Sequence, residues 1–331
     1  MANGLYSRED CEFVKRLLKN GVYLDEFVNR FGFNIDQITA MFQSFRQESY
    51  RVFIGEEAGS KILVLKDKYM KMCGYDDKIV SPVNEFKIAI VSDTHFGSKN
   101  DNPRIMDKVY NFCKGEGIKD IIHLGDVVEG KEYYVKRVCK GELRYTLTDE
   151  NQLEYLNQNL PYDKGIKMHI LAGNHDQFSN EGVALDIIGQ LIKEYKRNDI
   201  SVAGFDYRAF PVNSDFLYLN HGYIRDYSEY ESDTDKSLIL NGHSHRSKND
   251  ICHGYVVETV PTLSNIEHIN NNHEAADNRF FVGFITLDIS LNENKTFNTI
   301  EINRYKLTNS PYSKPKILPS PTTVEYRRFR K

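Results

Sequence analysis

The chain has no tryptophan, and only five of its 331 residues are cysteine. Five is odd and the cysteines lack paired spacing, so a disulfide framework is not indicated and the thiols read as reduced. No apolar run approaches the length of a membrane span. The N-terminus carries Arg8, Glu9, Asp10 and Glu12 and lacks the apolar core of a signal peptide. A soluble cytoplasmic protein with no membrane partner is expected. Excess positive charge is also lacking: 43 Lys and Arg face 47 Asp and Glu, a formal net charge of −4. Any nucleic-acid binding must therefore be local. There is no Gly-x-Ser-x-Gly elbow for a serine nucleophile and no Gly-x-x-x-x-Gly-Lys-Ser/Thr loop for ATP. What is present is a globular composition, 40% hydrophobic and 27% charged, with 21 Tyr and 19 Phe available for an aromatic core. Ten His stand out, because His is the commonest metal ligand.

Residues 9–48 read as three short helices. Phe13, Val14, Leu17 and Leu18 recur at helical spacing and stop at Asn20-Gly21. Leu24, Phe27, Val28 and Phe31 share a face and stop at Gly32. Ile35, Ile38, Met41, Phe42 and Phe45 follow Asn34, a candidate N-cap. Tyr50–Ile54 and Lys61–Leu65 then read as strands around Gly55–Ser60. This is the pattern of a helix-turn-helix with a wing, with Asp36–Arg46 as its recognition helix. A plain helical bundle that packs or forms a homo-oligomer explains the same pattern. Residues 1–80 are taken as this module, 81–308 as a second domain and 309–331 as a flexible tail ending in Arg327, Arg328, Arg330 and Lys331.

The second domain alternates near-continuous apolar runs with helices. Phe86–Ser92, Ile118–Leu124 and Ile166–Ala172 read as buried strands. Ile105–Lys114 and Glu150–Leu160 read as helices between them. Phe216–Asn220, Ser237–Asn241, Tyr255–Val260 and Phe281–Ile289 supply further strands. An α/β layered fold follows. Five of the strands run into polar clusters: Asp93-Thr94-His95, Gly125-Asp126-Val127-Val128-Glu129, Gly173-Asn174-His175-Asp176, Asn220-His221-Gly222 and Gly242-His243-Ser244-His245. Ligands bind beyond the carboxyl ends of such strands. Residues i and i+2 of an extended segment point to one side, so Asp93/His95 and His243/His245 can each address a centre of two ions. A set of carboxylates, one amide and imidazoles without thiolate suits Mn2+, iron or Zn2+ better than a Cys-rich structural zinc, and is richer in nitrogen than a Mg2+ or Ca2+ cage.

These five motifs, in this order, resemble the calcineurin-like metallophosphoesterases over about residues 86–290. The resemblance implies a four-layer αββα sandwich and a centre of two divalent ions, Mn2+ first, with iron, Zn2+ or Mg2+ as the other candidates. It implies that Asp93, His95, Asp126 and His245 hold one ion. Asp126 would bridge to a second, held also by Asn174, His221 and His243. His175 would donate a proton to the leaving oxygen, Asp176 would orient His175, and Glu129 would have a supporting role. A hydroxide bridging the ions would attack phosphorus. His123 is expected in the core or behind a ligand. His169, His253, His268 and His273 lie outside every motif, and Cys73, Cys113, Cys139 and Cys252 read as apolar fillers.

Residues 152–173 are also similar to the corresponding region of Mre11/SbcD-like DNA repair nucleases, which do not normally begin with a helix-turn-helix. With the N-terminal module, this favours a phosphodiesterase with exonuclease-like activity on DNA. Tyr133, Tyr134, Lys136 and Arg137, and Tyr223, Arg225, Tyr227 and Tyr230, are candidates for stacking and phosphate contact. The alternatives are a phosphomonoesterase or nucleotidase, and a DNA-binding or assembly protein with a vestigial site.

Overall fold

The computed structural model describes residues 13–15, 17, 18, 22–32, 41, 45, 50–57, 60–67, 77–130, 149–177, 187–205, 207–222, 238–252, 255–265, 281–307, 317–319 and 324–327. The chain divides into two compact units, residues 1–74 with 177–186, and residues 75–176 with 187–331.

In the first unit, residues 13–18 are helical where described, and Val14 and Leu18 are buried. Strand β1 (Val22–Tyr23) leads into helix α1 (Leu24–Phe31). The helix ends at Gly32, whose left-handed φ of 60° lets its N–H donate to the Val28 carbonyl at 2.9 Å. Phe27 is buried with its ring 5.0 Å from that of Phe31, whereas Val28 is 37% exposed. One residue is a 100° turn of helix, so Val28 sits at the margin of the face that Phe27 leads. Strands β2 (Tyr50–Glu57) and β3 (Ser60–Asp67) form an antiparallel hairpin, and β1 pairs antiparallel with β3. Glu57 stands opposite Ser60, so both strands run past the ends expected from the sequence. Of the expected third helix only Met41 and Phe45 are described; both are helical and buried.

The second unit is α/β. Strands β4 (Glu85–Val91), β5 (Asp120–His123), β6 (Lys167–Ala172) and β7 (Ile200–Phe205) lie side by side in parallel. Helices α2 (Ile105–Glu116), α3 (Asp149–Asn159) and α4 (Ile187–Tyr195) connect them in turn. The strand order advances in one direction, so right-handed crossovers put all three helices on one face. Strands β8 (Tyr207–Val212), β9 (Asp215–Asn220), β10 (Leu238–Asn241), β11 (Lys248–Cys252) and β12 (Tyr255–Thr259) form the other half. Beyond β4 lie β13 (Gly283–Leu291) and β14 (Phe297–Leu307), both antiparallel. The halves join between β7 and β8 through one residue pair, Phe205 with Tyr207. Ile88, Ile122 and Leu171 of one half share a single buried core with Phe210, Leu219 and Leu240 of the other. Two β layers and one helical layer of the expected four-layer sandwich are thus present among the described residues.

Residues 309–331, expected as a flexible tail, include strands β15 (Ile317–Pro319) and β16 (Val324–Arg327), both paired antiparallel with β14. The long edge of β14 offers unpaired backbone groups that a returning chain can satisfy. Among the described residues no helix is long and apolar enough to cross a membrane.

At the amino ends of the parallel strands, buried His169 lies between two carboxylates. Its Nδ1 is 2.8 Å from Asp77 Oδ2 and its Nε2 is 3.1 Å from Asp120 Oδ1. Burial works against the charge, but hydrogen bonds to Asp120 and Asp77 raise the His169 pKa, while the same contact lowers that of Asp77 against its own burial. The raised His169 contributes stability that is complete below the unfolded pKa of about 6.5 and is lost as pH rises through the folded value. The lowered Asp77 contributes above its unfolded pKa of about 4 and loses that as pH falls. His169→Gln is therefore expected to cost roughly 3 kcal/mol near pH 6, where a buried charge loses its partner. Urea unfolding at pH 6 and pH 9 measures it; an equal cost at both pH values would contradict the charged clamp.

Candidate metal centre

All five polar clusters sit at the carboxyl ends of strands. Asp93 and His95 follow β4, Asp126 follows β5, Asn174 and His175 follow β6, His221 follows β9, and His243 and His245 follow β10. Apolar runs carry each strand through the core, and the chain turns sharply where they end. Asp93, His95, Asp126, His243 and His245 have φ of 54°, 47°, 53°, 70° and 57°. Non-glycine residues avoid this left-handed region, at a cost of about 1–3 kcal/mol each. Five candidate ligands share that cost, so the fold holds them against local preference.

Glycines set the spacing. A Cβ on Gly173 would lie 2.3 Å from Asp126 Oδ1 and 2.7 Å from His221 Nε2, and one on Gly222 would lie 2.5 Å from the His243 ring. Only a residue without a side chain lets these loops converge.

Hydrogen bonds fix how each side chain faces the centre. Asp93 Oδ2 accepts from Ser92 Oγ at 2.5 Å and from the His243 N–H at 3.1 Å. Its Oδ1 is buried without a hydrogen-bond partner among the described residues, 3.4 Å from His245 Nε2 and 3.8 Å from His95 Nε2. Asp126 Oδ1 accepts from the His175 N–H at 2.9 Å, and its Oδ2 lies 2.9 Å from His221 Nε2 and 3.8 Å from His95 Nε2.

The imidazoles follow one rule. His95 Nδ1 is 2.7 Å from Glu129 Oε2, His175 Nδ1 is 2.5 Å from the Glu129 carbonyl, and His221 Nδ1 is 2.5 Å from the Leu124 carbonyl. Each oxygen can only accept, so each Nδ1 donates, and the neutral ring turns an Nε2 lone pair inward. His95 Nε2 then meets His245 Nε2 at 3.1 Å, and His221 Nε2 meets a carboxylate at 2.9 Å. Lone pairs repel at such distances unless a proton or a cation lies between. The donor set therefore fits divalent metal. Asp93, His95 and His245 form one tight group, and Asp126, His221 and His243 another.

Without a metal, the carboxylates draw protons onto the imidazoles instead. Burial disfavours charge on His221, yet the Asp126 carboxylate raises its pKa to about 9. Asp93 is held well below the usual carboxylate range, against its burial, by His245. His123 is wholly buried, and burial depresses its pKa to about 3. It accepts from the Gly125 N–H at 3.1 Å and contacts Thr94 Oγ1 at 3.1 Å, tying the first two clusters together. This matches its expected place behind the ligands.

Asp176 does not take its expected role. Its Oδ1 accepts from the N–H groups of Val127 and Val128, at 2.9 and 3.1 Å, and its Oδ2 from that of Gly173 at 2.8 Å. The carboxylate thus braces the third cluster against the second, while the Glu129 carbonyl faces His175. A one-turn 3-10 helix over His175–Gln177 turns Asp176 back toward these amides. Burial, then the Asp126 charge, pushes Asp176 up to about 6.

The motifs also missed the loop after β12, where Thr262 Oγ1 and the Ser264 N–H donate to the Asp93 carbonyl at 2.9 and 3.1 Å. No metal-ligand residue type marks that loop. His169 is structural, and Cys113 is buried and free with its thiol pushed up to about 12 by burial. His253, His268 and His273, Cys73 and Cys139, and the aromatic and basic residues after Glu129 and Gly222 lie outside the described residues.

Several solved structures are remotely similar to this chain. A Vps29 variant from Entamoeba histolytica is 11% identical over 73% of this chain and 100% of its own, with a TM-score of 0.40. A predicted phosphoesterase from Streptococcus pneumoniae is 11% identical over 74% and 99%, with a TM-score of 0.38. An archaeal phosphodiesterase is 14% identical over 70% and 100%, with a TM-score of 0.36. No curated protein matches the chain. The sequence model of the calcineurin-like phosphoesterase superfamily domain matches residues 86–260, which contain all five clusters and make up more than half of the chain, and on that match the chain belongs to this superfamily.

Proposed function

We propose that the chain is a two-metal phosphodiesterase acting on DNA, with Mn2+ as the metal it uses. The observation that carries the hydrolytic reading is the inward turn of the Nε2 lone pairs of His95 and His221 onto Asp93 and Asp126, two carboxylates that no lysine or arginine neutralises among the ion pairs described. Asp93, His95, Asp126 and His245 would hold one ion, and Asp126, Asn174, His221 and His243 the other. When bound, such ions supply an activated water and neutralise the phosphoryl oxygens. The chain contributes the rest. His175 presents Nε2 3.9 Å from Asp126 Oδ2, with Nδ1 held by a carbonyl, so when Nε2 also carries a proton the imidazolium can pass it to a leaving oxygen and return to the neutral ring. Asp176 fixes its backbone by gripping Gly173.

Support for DNA comes from the first unit. A short strand between two helical segments joins a later hairpin in the order β1-β3-β2. That order supports the reading of a winged helix-turn-helix, which would give an acidic chain a local module for nucleic acid.

The test uses the purified chain with Mn2+, bis-p-nitrophenyl phosphate, linear duplex DNA, single-stranded DNA and p-nitrophenyl phosphate. Hydrolysis of the diester and of DNA is expected. Turnover of the monoester alone would replace this reading with a phosphomonoesterase, and turnover of none would favour a binding protein with a vestigial site. Metal-free protein should bind duplex DNA with an affinity that falls steeply with salt.

A further inference from the structure

We infer that Glu129 is the positioning residue of the centre, setting through one side chain and one carbonyl the tautomer of two histidines with different tasks. The inference rests on the two-metal reading above. Glu129 is 7% exposed, and its carboxylate reaches His95 Nδ1 at 2.7 Å. Its carbonyl reaches His175 Nδ1 at 2.5 Å. The rings of His95 and His175 stand edge to face, 4.7 Å between centres.

The backbone of Glu129 is itself secured. Its N–H donates to the Phe96 carbonyl at 2.9 Å, tying it to the loop that carries His95. Gly130 follows with φ of +89°, and a Cβ there would lie 2.8 Å from the His175 carbonyl. Gln152 of α3 donates from Nε2 to the Gly130 carbonyl at 3.0 Å. The residue is therefore held from three directions.

The consequence is chemical. A ligating imidazole whose second nitrogen donates to a carboxylate has a fixed ring orientation and a more basic ligating nitrogen. Glu129 does this for His95. A carbonyl is a neutral acceptor, so it fixes the His175 tautomer with less increase in basicity. One residue thus fixes the tautomers of two imidazoles through two acceptors of unequal strength.

The test titrates Mn2+ into metal-free full-length protein, following free Mn2+ by electron paramagnetic resonance. Two variants separate reach from charge. Glu129→Gln keeps an oxygen at the right distance and loses the charge. Glu129→Asp keeps the charge but is one methylene short of His95. In Glu129→Asp, one of two Mn2+ binding steps should weaken by about 10–100-fold with the other unchanged. Glu129→Gln, which keeps the hydrogen bond but loses the charge that makes His95 Nε2 more basic, should weaken the same step by less, about 3–10-fold. The reverse ranking, equal weakening of both steps, or wild-type affinity in both variants would overturn the positioning role. If the wild type takes up no Mn2+, the two-metal reading fails and this inference with it. If it takes up two and the variants rank otherwise, only this inference fails.

Discussion

Asp126→Asn is expected to lose both ions in one step and to lower phosphodiester turnover by about a thousandfold, equivalent to about 4 kcal/mol of transition-state stabilisation. The fold should survive. Asp126 Oδ1 accepts from the His175 N–H at 2.9 Å, and an amide oxygen accepts there equally well. The other arm changes character. Asp126 Oδ2 lies 2.9 Å from His221 Nε2, and an amide NH2 at that point donates to a neutral imidazole. In the metal-free wild type a proton on His221, whose pKa Asp126 raises to about 9, fills that place, so the variant exchanges an ion pair for a neutral hydrogen bond. Its metal-free melting temperature near pH 7 should fall modestly below that of the wild type. Elemental analysis after gel filtration in Mn2+ reads the ion count, and melting reads the fold. Two ions retained per chain would place the bridge on another residue.

The same geometry explains what the sequence made legible. The clusters follow apolar strands, and an apolar run that stops at Asp, Asn or His marks a buried strand reaching a polar mouth. Phe86–Ser92 and Glu85–Val91 differ by one residue, because a strand without polar interruption has few places to begin or end. Strand β14 escaped notice because Phe297–Leu307 alternates buried and exposed positions, and its Asn, Glu, Arg and Lys mask the pattern. Strands β7, β8 and β11 and helix α4 went unnoticed too, and β8 carries Arg208 and Pro211 in a segment that reads as turn. Within the site, residue types were legible and partners were not. The family resemblance implies that the last carboxylate of Gly-Asn-His-Asp orients the imidazole. A 3-10 turn swings that carboxylate to the amides of Val127, Val128 and Gly173, and only backbone coordinates reveal it. The left-handed φ of Asp93, His95, Asp126, His243 and His245 was equally hidden, since none of these residue types announces that conformation as glycine does.

His175→Asn is expected to keep two ions and lower kcat by about 10^2–10^4-fold, the usual contribution of a positioned proton donor. Position alone leaves its task open, because His175 Nε2 belongs with His95 and Asp126 to a group close enough to hold a metal ion. The inward nitrogens of His95 and His175 lie 3.8 and 3.9 Å from Asp126 Oδ2, so distance does not choose between the two roles and the ion count of the variant does. Replacing the ring leaves the backbone N–H of residue 175 in place to donate to Asp126 Oδ1, so the bridge should stay oriented. The loss should fall on kcat, and it should be smaller for a substrate whose leaving group is already stable as an anion. Comparing bis-p-nitrophenyl phosphate with a DNA substrate measures this, because p-nitrophenolate needs little protonation and a deoxyribose oxygen needs it fully. Equal losses on the two substrates would argue against proton donation, and loss of one ion would make His175 a ligand.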